Sequence, residues 1–256
     1  MTYSIAMAGK GGTGKTTVCG LFINHLVKAG KGPILAVDAD ANSNLNEVLG
    51  VKIEMTLGDI REEIAKAEVA VNSPIPPSMS KQEYAAYKFG DALIEEDSYD
   101  MLVMGKTQGK GCYCYVNDLL RDQVNKYYKN YKYMVVDNEA GLEHISRGIL
   151  PPVDLILLVS DCSRRGIQAA GRSAQMIQEL DLKVKSVRLI VNRVPGGTLD
   201  PGIQEEIKTW NLDLVGIIPQ DDQVYQYDAA GKPLVALPEH SPVKQALGEI
   251  IQKLGV

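Results

Sequence analysis

Apolar and polar residues follow one another along this chain in blocks whose lengths indicate strands and helices in turn. Short runs rich in Val, Ile and Leu recur, and segments with helix-like spacing lie between them. This order is typical of βα units that build a mostly parallel sheet with helices on both faces. The pattern predicts an α/β, doubly wound fold with seven strands, near Tyr3–Ala8, Pro33–Asp38, Met101–Met104, Tyr133–Asp137, Leu155–Ser160, Arg188–Asn192 and Leu214–Ile218.

The stretch from Val51 to Tyr99 is less regular than the rest of the chain. NSPIPPS breaks the pattern there, and KQEYAAYKFGDALIEE has the spacing of an amphipathic surface helix. We therefore predict that residues 51–99 are an insertion between the second and third strands. Since large α/β sheets often use about 250 residues, the whole chain, 1–256, is predicted to be one domain.

The last segment, SPVKQALGEIIQKLGV, places apolar residues at helical spacing from Val243 to Leu254. This pattern predicts a terminal helix that packs on the core. A membrane-surface helix is the alternative, but only Lys244 and Lys253 are available for the basic face that such a helix needs.

Charge and hydropathy argue against nucleic acid and membranes as binding partners. The 27 basic and 32 acidic residues give a net charge of -5, without the basic excess that supplies affinity for nucleic acid. No run reaches about 18 apolar residues, and the first residues lack a basic segment followed by an apolar one. We expect a cytoplasmic protein that binds neither nucleic acid nor membranes.

The first predicted strand leads into GKGGTGKTT, Gly9 to Thr17, which matches the phosphate-loop pattern G-x-x-x-x-G-K-[ST]. In this context backbone N–H groups surround the phosphates, Lys15 reaches the β and γ oxygens, and the Thr16 hydroxyl binds Mg²⁺. A glycine-rich turn without a ligand is the alternative. The motif predicts a Mg²⁺-dependent ATPase, with ATP bound by Gly11, Gly12, Thr13, Gly14, Lys15, Thr16 and Thr17.

Two of the four cysteines, Cys112 and Cys114, lie one residue apart in QGKGCYCYVN. Thiolates are ligands for zinc, nickel, copper(I) and iron–sulfur centres, but two of them leave a divalent metal short of four ligands. A dimer would supply the other two, coupling metal binding to dimerisation. Two partly buried thiols or a strained redox pair are the alternatives. Cys19 and Cys162 are predicted to be structural.

Lys10 places a second lysine inside the loop, and this KGGxGKT form resembles the deviant phosphate loop of a superfamily of dimeric ATPases. The superfamily includes the cell-division, plasmid-partition and arsenite-pump ATPases and nitrogenase iron protein, and the resemblance runs over the whole chain. It implies an ATP-dependent homodimer in which Lys10 reaches the partner's nucleotide and stabilises the transition state. An exposed lysine without that role is the alternative.

The same resemblance assigns the carboxylates that follow two strands. In AVDADANSNL, Asp38 would lie near Mg²⁺ and Asp40 would orient the attacking water; in YMVVDNEAG, Asp137 would contact Mg²⁺ through water and Gly141 the γ-phosphate. The alternative for Asp38 and Asp40 is that both cap the next turn.

The base site is also implied by resemblance. In LIVNRV, Asn192 would hydrogen-bond adenine, with Arg193 beside it, and in GIIPQDD, Pro219 and Gln220 would line the ring. SDCSRRGIQAA resembles a helix start of the superfamily, with Ser163 as its N-cap.

GKGGTGKTT, the CYC after the third strand and GLEHISRG together resemble the nickel-inserting accessory ATPases of carbon monoxide dehydrogenase and acetyl-CoA synthase, the CooC/AcsF type. In that family a Cys-x-Cys binds Ni²⁺, or Zn²⁺ in vitro, at the dimer interface, and ATP hydrolysis accompanies nickel insertion into the apo-enzyme. The resemblance implies that Cys112 and Cys114 bind nickel, that one of these enzymes is the client, and that hydrolysis is slow without it. We interpret Glu143 and His144 as helix residues, not as ligands.

The main alternative is an electron-transfer ATPase of the nitrogenase iron protein type, with a [4Fe–4S] cluster between subunits. That family places a second cysteine after the aspartate that corresponds to Asp137, and VVDNEAGLEHIS has none. A partition or cell-division ATPase is the third class. It does not explain the cysteines.

Overall fold

The computed structural model describes residues 1–67, 74–106, 114–139 and 151–256, with the side chains of 114–117 left out. These residues form an eight-stranded sheet in the order β3-β4-β2-β5-β1-β6-β7-β8, with every pairing parallel except β3 with β4. The strands are β1 Tyr3–Ala8, β2 Ile34–Asp38, β3 Ile94–Glu95, β4 Asp100–Val103, β5 Tyr133–Asp137, β6 Leu155–Asp161, β7 Ser186–Val194 and β8 Leu214–Pro219.

Nine α-helices lie within the described ranges. They are α1 Lys15–Lys28, α2 Leu45–Leu49, α3 Leu57–Ala67, α4 Lys81–Ala92, α5 Cys114–Tyr127, α6 Arg164–Glu179, α7 Pro201–Thr209, α8 Asp222–Ala229 and α9 Pro242–Leu254. None of the helices in the described ranges is long and apolar enough to cross a membrane.

Helices cover both faces of the sheet because side chains along each strand alternate between the faces. On one face Ile5 and Met7 of β1 pack with α1, α2 and α9. On the other, Ala6 and Ala8 pack with α3 to α7. This arrangement confirms the predicted doubly wound α/β fold.

The seven predicted strands are all present, with ends that differ from the prediction by at most two residues. The eighth, β3, was not predicted, because a two-residue strand, Ile94–Glu95, shows no periodicity. It pairs antiparallel at the edge of the sheet.

Residues 51–99, the predicted insertion, contain α3, α4 and β3. α4 begins with a capping box in which the Ser80 hydroxyl accepts from the Glu83 N–H, and it buries Tyr84 and Phe89. α3, α4 and α5 pack on one another and join the core on one face of the sheet. The terminal helix α9 buries Val243, Leu247 and Ile250, as the apolar spacing predicted.

Candidate nucleotide site

The loop Gly9–Gly14 joins the middle strand β1 to α1, and its backbone requires glycine. Gly14 has φ 88°, in the left-handed region. A Cβ atom there would lie 2.4 Å from Nδ2 of Asn192, and one on Gly9 would lie 2.3 Å from the carbonyl oxygen of Val159. The glycines therefore allow the loop to pass close to the ends of β6 and β7.

Lys15 is the first residue of α1 and is only 7% exposed. Its Nζ lies 3.4 Å from the carbonyl oxygen of Lys10, which also accepts from the Thr13 hydroxyl at 3.0 Å. The Lys10 side chain is exposed. The loop thus places a buried ammonium group at a helix N-terminus, where the backbone N–H groups and the helix dipole favour phosphate.

Asp38 and Asp137 lie side by side, because β2 and β5 pair in a register that aligns these two residues. Burial raises the pKa of Asp137 to about 7, with a further contribution from Asp38, whereas the Thr16 hydroxyl bond and Lys15 lower it. Burial likewise raises the pKa of Asp38 to about 6, opposed by bonds from backbone N–H groups. Two buried carboxylates therefore share one small volume beside the phosphate loop.

This arrangement fits Mg²⁺. Oδ1 of Asp137 is buried and bonds to no described residue, and the Thr16 hydroxyl is next to the same carboxylate. Carboxylate and hydroxyl oxygens are ligands that Mg²⁺ prefers, and Mg²⁺ takes its remaining ligands from water and nucleotide phosphates. Within the described residues no group of three or more His, Cys, Asp or Glu side chains could hold a metal by itself. Thr16 and Asp137 would hold the ion, and its charge would offset the repulsion between Asp137 and Asp38.

Asp38 and Asp40 both bond to the loop after β2. Asp38 accepts from the N–H groups of Asp40 and Leu45, each at 3.0 Å, and Asp40 accepts from the N–H of Asn42 at 2.8 Å. These are the turn-capping bonds of the alternative interpretation. These bonds hold the loop after β2, which contains Asp40, in one direction. The water-orienting role of Asp40 stays a prediction.

A cleft of about 420 Å³ lies beside the phosphate loop, and it contains all four residues predicted to contact the base. Sequence reasoning missed the side chains of α8 that line the same cleft. Asp222, Tyr225 and Asp228 are spaced three apart on this helix, directly after Gln220, and this spacing was the available signal. The lining residues are Thr17, Asn192, Arg193, Pro219, Gln220, Asp221, Asp222, Val224, Tyr225, Asp228, Leu234 and Val243.

Asn192 and Arg193 also contact the phosphate loop. The Nδ2 of Asn192 donates to the Thr13 carbonyl at 2.9 Å, and the Nη1 of Arg193 donates to the Gly12 carbonyl at 3.1 Å. The amide predicted to bind adenine thus already bonds to the loop that holds the phosphates.

The cysteine pair lies at the limit of the described chain. Cys112, Gly141, Glu143 and His144 are outside the described residues, and Cys114 is the first residue of α5, with a side chain that is not described. Of the other two cysteines, Cys19 is in the core as predicted, and the structural role of Cys162 stays a prediction. Cys19 is buried in the core, and half-buried Cys162 lies next to Ser163, which caps α6 by accepting from the Gly166 N–H.

The family is decided by a match between residues 4–234 and the CobQ/CobB/MinD/ParA nucleotide-binding domain. The chain belongs to this family. An uncharacterized ATP-binding protein of Methanocaldococcus jannaschii is 41% identical over 98% of this chain and 97% of its own. The carbon monoxide dehydrogenase accessory protein CooC of Rhodospirillum rubrum is 29% identical over 89% of this chain and 87% of its own.

Solved structures of cell-division proteins share the fold of this member of the MinD/ParA family. MinD of Aquifex aeolicus superposes with a TM-score of 0.71 at 23% identity, covering 99% of this chain and 97% of its own. MinD of Pyrococcus horikoshii, complexed with Mg-ADP, gives 0.71 at 21% identity, covering 99% and 96%. Together with the family match and the ATP-binding relative, this makes the chain a nucleotide-binding ATPase of the CobQ/CobB/MinD/ParA family.

Proposed function

We propose that this ATPase is a metallochaperone that carries Ni²⁺ on Cys112 and Cys114 and helps to insert it into a nickel enzyme. Four thiolates, two from each subunit of a homodimer, hold one ion as cargo, with Zn²⁺ as a possible substitute in vitro. ATP closes the dimer, and hydrolysis opens it and releases the metal to the client. The client is carbon monoxide dehydrogenase or acetyl-CoA synthase.

The observation that carries the proposal is the place from which the cysteine segment leaves the sheet. β4 pairs with β2 so that Val103 lies opposite Asp38, and the Met104 N–H donates to the Asp38 carbonyl at 2.8 Å. The chain continues from Lys106 into the segment with the cysteines. This segment therefore starts at the same edge of the sheet as the phosphate loop and the buried carboxylates.

The start of that segment is anchored on α3. The buried Arg61 guanidinium donates to the Lys106 carbonyl at 2.6 Å, and the Gly58 N–H donates to the Met104 carbonyl at 2.9 Å. The last described residue before the cysteine segment, Lys106, is thus fixed to α3 at the nucleotide edge of the sheet, and Cys112 follows it by six positions in the sequence.

One relative supports the same function. The CooC relative is named an accessory protein of carbon monoxide dehydrogenase, and the match covers 89% of this chain. The cysteine pair adds a chemical reason, since soft thiolates suit nickel.

On the nucleotide, each residue has a stated role in the proposal. Lys15 binds the β and γ oxygens, Thr16, Asp38 and Asp137 surround Mg²⁺, and Asp40 orients the attacking water. The exposed Lys10 crosses to the partner subunit's nucleotide. Because this role needs a dimer, Lys10→Ala should lower hydrolysis while ATP binding to the monomer is kept.

Metal and nucleotide are coupled in both directions if they share one dimer. Any factor by which ATP changes nickel affinity must also be the factor by which nickel changes ATP affinity. The segment 51–99 is proposed to recognise the client, since it exposes Tyr87 on α4 and Met79 just before this helix.

The test is an anaerobic Ni²⁺ titration, with and without Mg²⁺ and a non-hydrolysable ATP analogue, that reads metal content and oligomer mass together. One nickel per dimer is expected, with an affinity that nucleotide changes. The double variant Cys112→Ser/Cys114→Ser should lose the nickel. Cys162→Ser is the matched control, since it removes a half-buried free thiol outside the pair, and it should keep the nickel.

Other outcomes contradict the proposal. Absence of nickel binding would assign the cysteines a structural role. Iron and sulfide in place of nickel, with thiolate-to-iron absorption, would favour the electron-transfer ATPase instead.

A further inference from the structure

Two residues at the end of β7 bond to the outer side of the phosphate loop, and their contacts have a consequence for catalysis. We propose that Asn192 and Arg193 are positioning residues that orient the N–H groups of the phosphate loop before any nucleotide binds. Recognition of the base is then not the main function of Asn192. The proposal does not depend on nickel.

Asn192 is held in one orientation. It is 5% exposed, its Oδ1 accepts from the Arg193 N–H at 2.9 Å, and its Nδ2 donates to the Thr13 carbonyl at 2.9 Å. Because an N–H group can only donate, the first bond assigns the oxygen of the amide and so directs its nitrogen at the loop. The space that this nitrogen fills is the space that a Cβ atom on residue 14 would need.

Arg193 is held from a second side. Its backbone has φ 56°, in the left-handed region, and its carbonyl accepts from the Cys162 thiol at 3.6 Å. Its guanidinium donates to the Gly12 carbonyl at 3.1 Å. The unusual backbone angle is thus combined with a side chain that contacts the loop.

The two bonds fall on consecutive carbonyl groups, and this determines the direction of the next two N–H groups. In a planar trans peptide, the carbonyl of one residue and the N–H of the next point in opposite directions. A Gly12 carbonyl held outward by Arg193 therefore turns the Thr13 N–H inward. A Thr13 carbonyl held outward by Asn192 turns the Gly14 N–H inward in the same way.

Inward N–H groups are what a phosphate loop supplies to its ligand. If side chains hold these N–H groups in place beforehand, phosphate binding does not have to order them. Both the affinity for the phosphates and the rate of hydrolysis are then higher. The same two side chains line the base cleft. They therefore form a direct contact between the base end and the phosphate end of the site.

The experiment compares three ligands on the Asn192→Ala variant: ATP, inorganic tripolyphosphate and adenosine, with Mg²⁺ present for the first two. Loss of the bond to Thr13 should weaken ATP and tripolyphosphate by the same factor, roughly five- to tenfold, the usual effect of one buried hydrogen bond. Adenosine affinity should not change. The surface variant Asn130→Ala controls for the loss of an amide side chain, since Asn130 is exposed.

A second measurement uses the protein without any ligand. Amide hydrogen exchange in peptides that contain Thr13 and Gly14 should be faster in Asn192→Ala than in the unmodified protein, because the carbonyl on the outer side is released. Arg193→Lys keeps the charge but not the fork geometry, and it should show a smaller increase at Thr13. Melting temperatures of both variants identify any general loss of folding, which would raise exchange throughout the chain and not in the loop alone.

The opposite pattern would overturn the proposal. If Asn192→Ala weakens ATP and adenosine but leaves tripolyphosphate binding and loop exchange unchanged, Asn192 is a base ligand only. Nickel binding by the cysteine pair has no part in these measurements, so the metallochaperone proposal stands or fails separately.

Discussion

The phosphate end and the base end of the nucleotide site are built in different ways. At the phosphate end, Lys15 and Asp137 are 7% and 1% exposed, and both lie where strands in the middle of the sheet finish. At the base end, α8 contributes an aromatic ring, Tyr225, that is 75% exposed, and the cleft opens beside the edge strand β8. On the proposed roles, phosphate binding rests on residues that the central strands hold in place, whereas contact with the base rests on surface side chains.

Removing the ammonium group at the phosphate end should have the largest effect. We expect Lys15→Ala to lower kcat for ATP hydrolysis about 10²- to 10³-fold, the usual loss when one group that stabilises transition-state charge is removed. Steady-state phosphate release measures it. Lys52→Ala, which removes an exposed lysine, should hydrolyse ATP at the normal rate. Near-normal hydrolysis by Lys15→Ala would mean that Lys15 does not stabilise the transition state.

A side chain on Gly14 tests how closely the phosphate loop is packed. Gly14→Ala combines a left-handed backbone with a Cβ atom 2.4 Å from Asn192, so we expect a loss of about 3 kcal/mol in the free energy of unfolding and weaker ATP binding. Urea unfolding measures the first effect.

The matched control for Gly14→Ala is Gly231→Ala. Gly231 has φ 62°, also left-handed, but nothing lies within 4 Å of a Cβ atom there. Its variant should lose only the backbone contribution, about 1 kcal/mol. Equal losses in the two variants would show that contact with Asn192 has no energetic importance.

The buried carboxylates predict that stability of the ligand-free protein depends on pH. Because the folded-state pKa of Asp137, about 7, lies above the ordinary aspartate value of 3.8, the folded protein binds more protons than the unfolded chain between these values. The free energy of unfolding should therefore fall as pH rises through this window. In Asp137→Asn the fall should be smaller by about 2 kcal/mol, since each pKa unit corresponds to about 1.4 kcal/mol and Asp38 titrates with Asp137.

Urea unfolding at pH 5 and pH 8 measures this difference. Asp97→Asn changes an exposed carboxylate and should keep the slope of the unmodified protein. A slope in Asp137→Asn as steep as in the unmodified protein would mean that Asp137 is not the group that titrates.

The smallest effect is expected at the base end. Tyr225→Ala should raise KM for ATP about fivefold with kcat unchanged, since stacking of a base on an aromatic ring contributes about 1 kcal/mol. Tyr87→Ala removes an exposed tyrosine from α4 and serves as the control. A change in kcat as large as that in KM would contradict the separation of the two ends.

The sequence predicts the strand, loop and helix of the phosphate end because these elements are adjacent along the chain. Strand, loop and helix follow one another within Tyr3–Lys28, and a motif fixes which residue types stand where. Asp38 and Asp137, at the ends of β2 and β5, could be predicted too, since each follows an apolar run. That they are neighbours depends on strand order, which periodicity does not contain.

The hydrogen bonds from Asn192 and Arg193 to the phosphate loop, which join the base end to the phosphate end, could not be predicted from the sequence. Asn192 and Thr13 are 179 residues apart, and nothing in either segment indicates the other. The lining face of α8 was missed because its three-residue spacing is visible in the sequence but does not say what that face covers. Asp222, Tyr225 and Asp228 are polar residues of a surface helix until the fold places them over a cleft.

The central position of β1 has a consequence for how the protein would lose its function on denaturation. β1 has four strands on one side and three on the other, so fraying that begins at an edge reaches it late. Detachment of β8 would remove Pro219 and the approach to α8, while β1, β5 and β2 stay paired. On the proposed roles, a partly denatured molecule would thus lose its contacts with the base first and its binding of the triphosphate last.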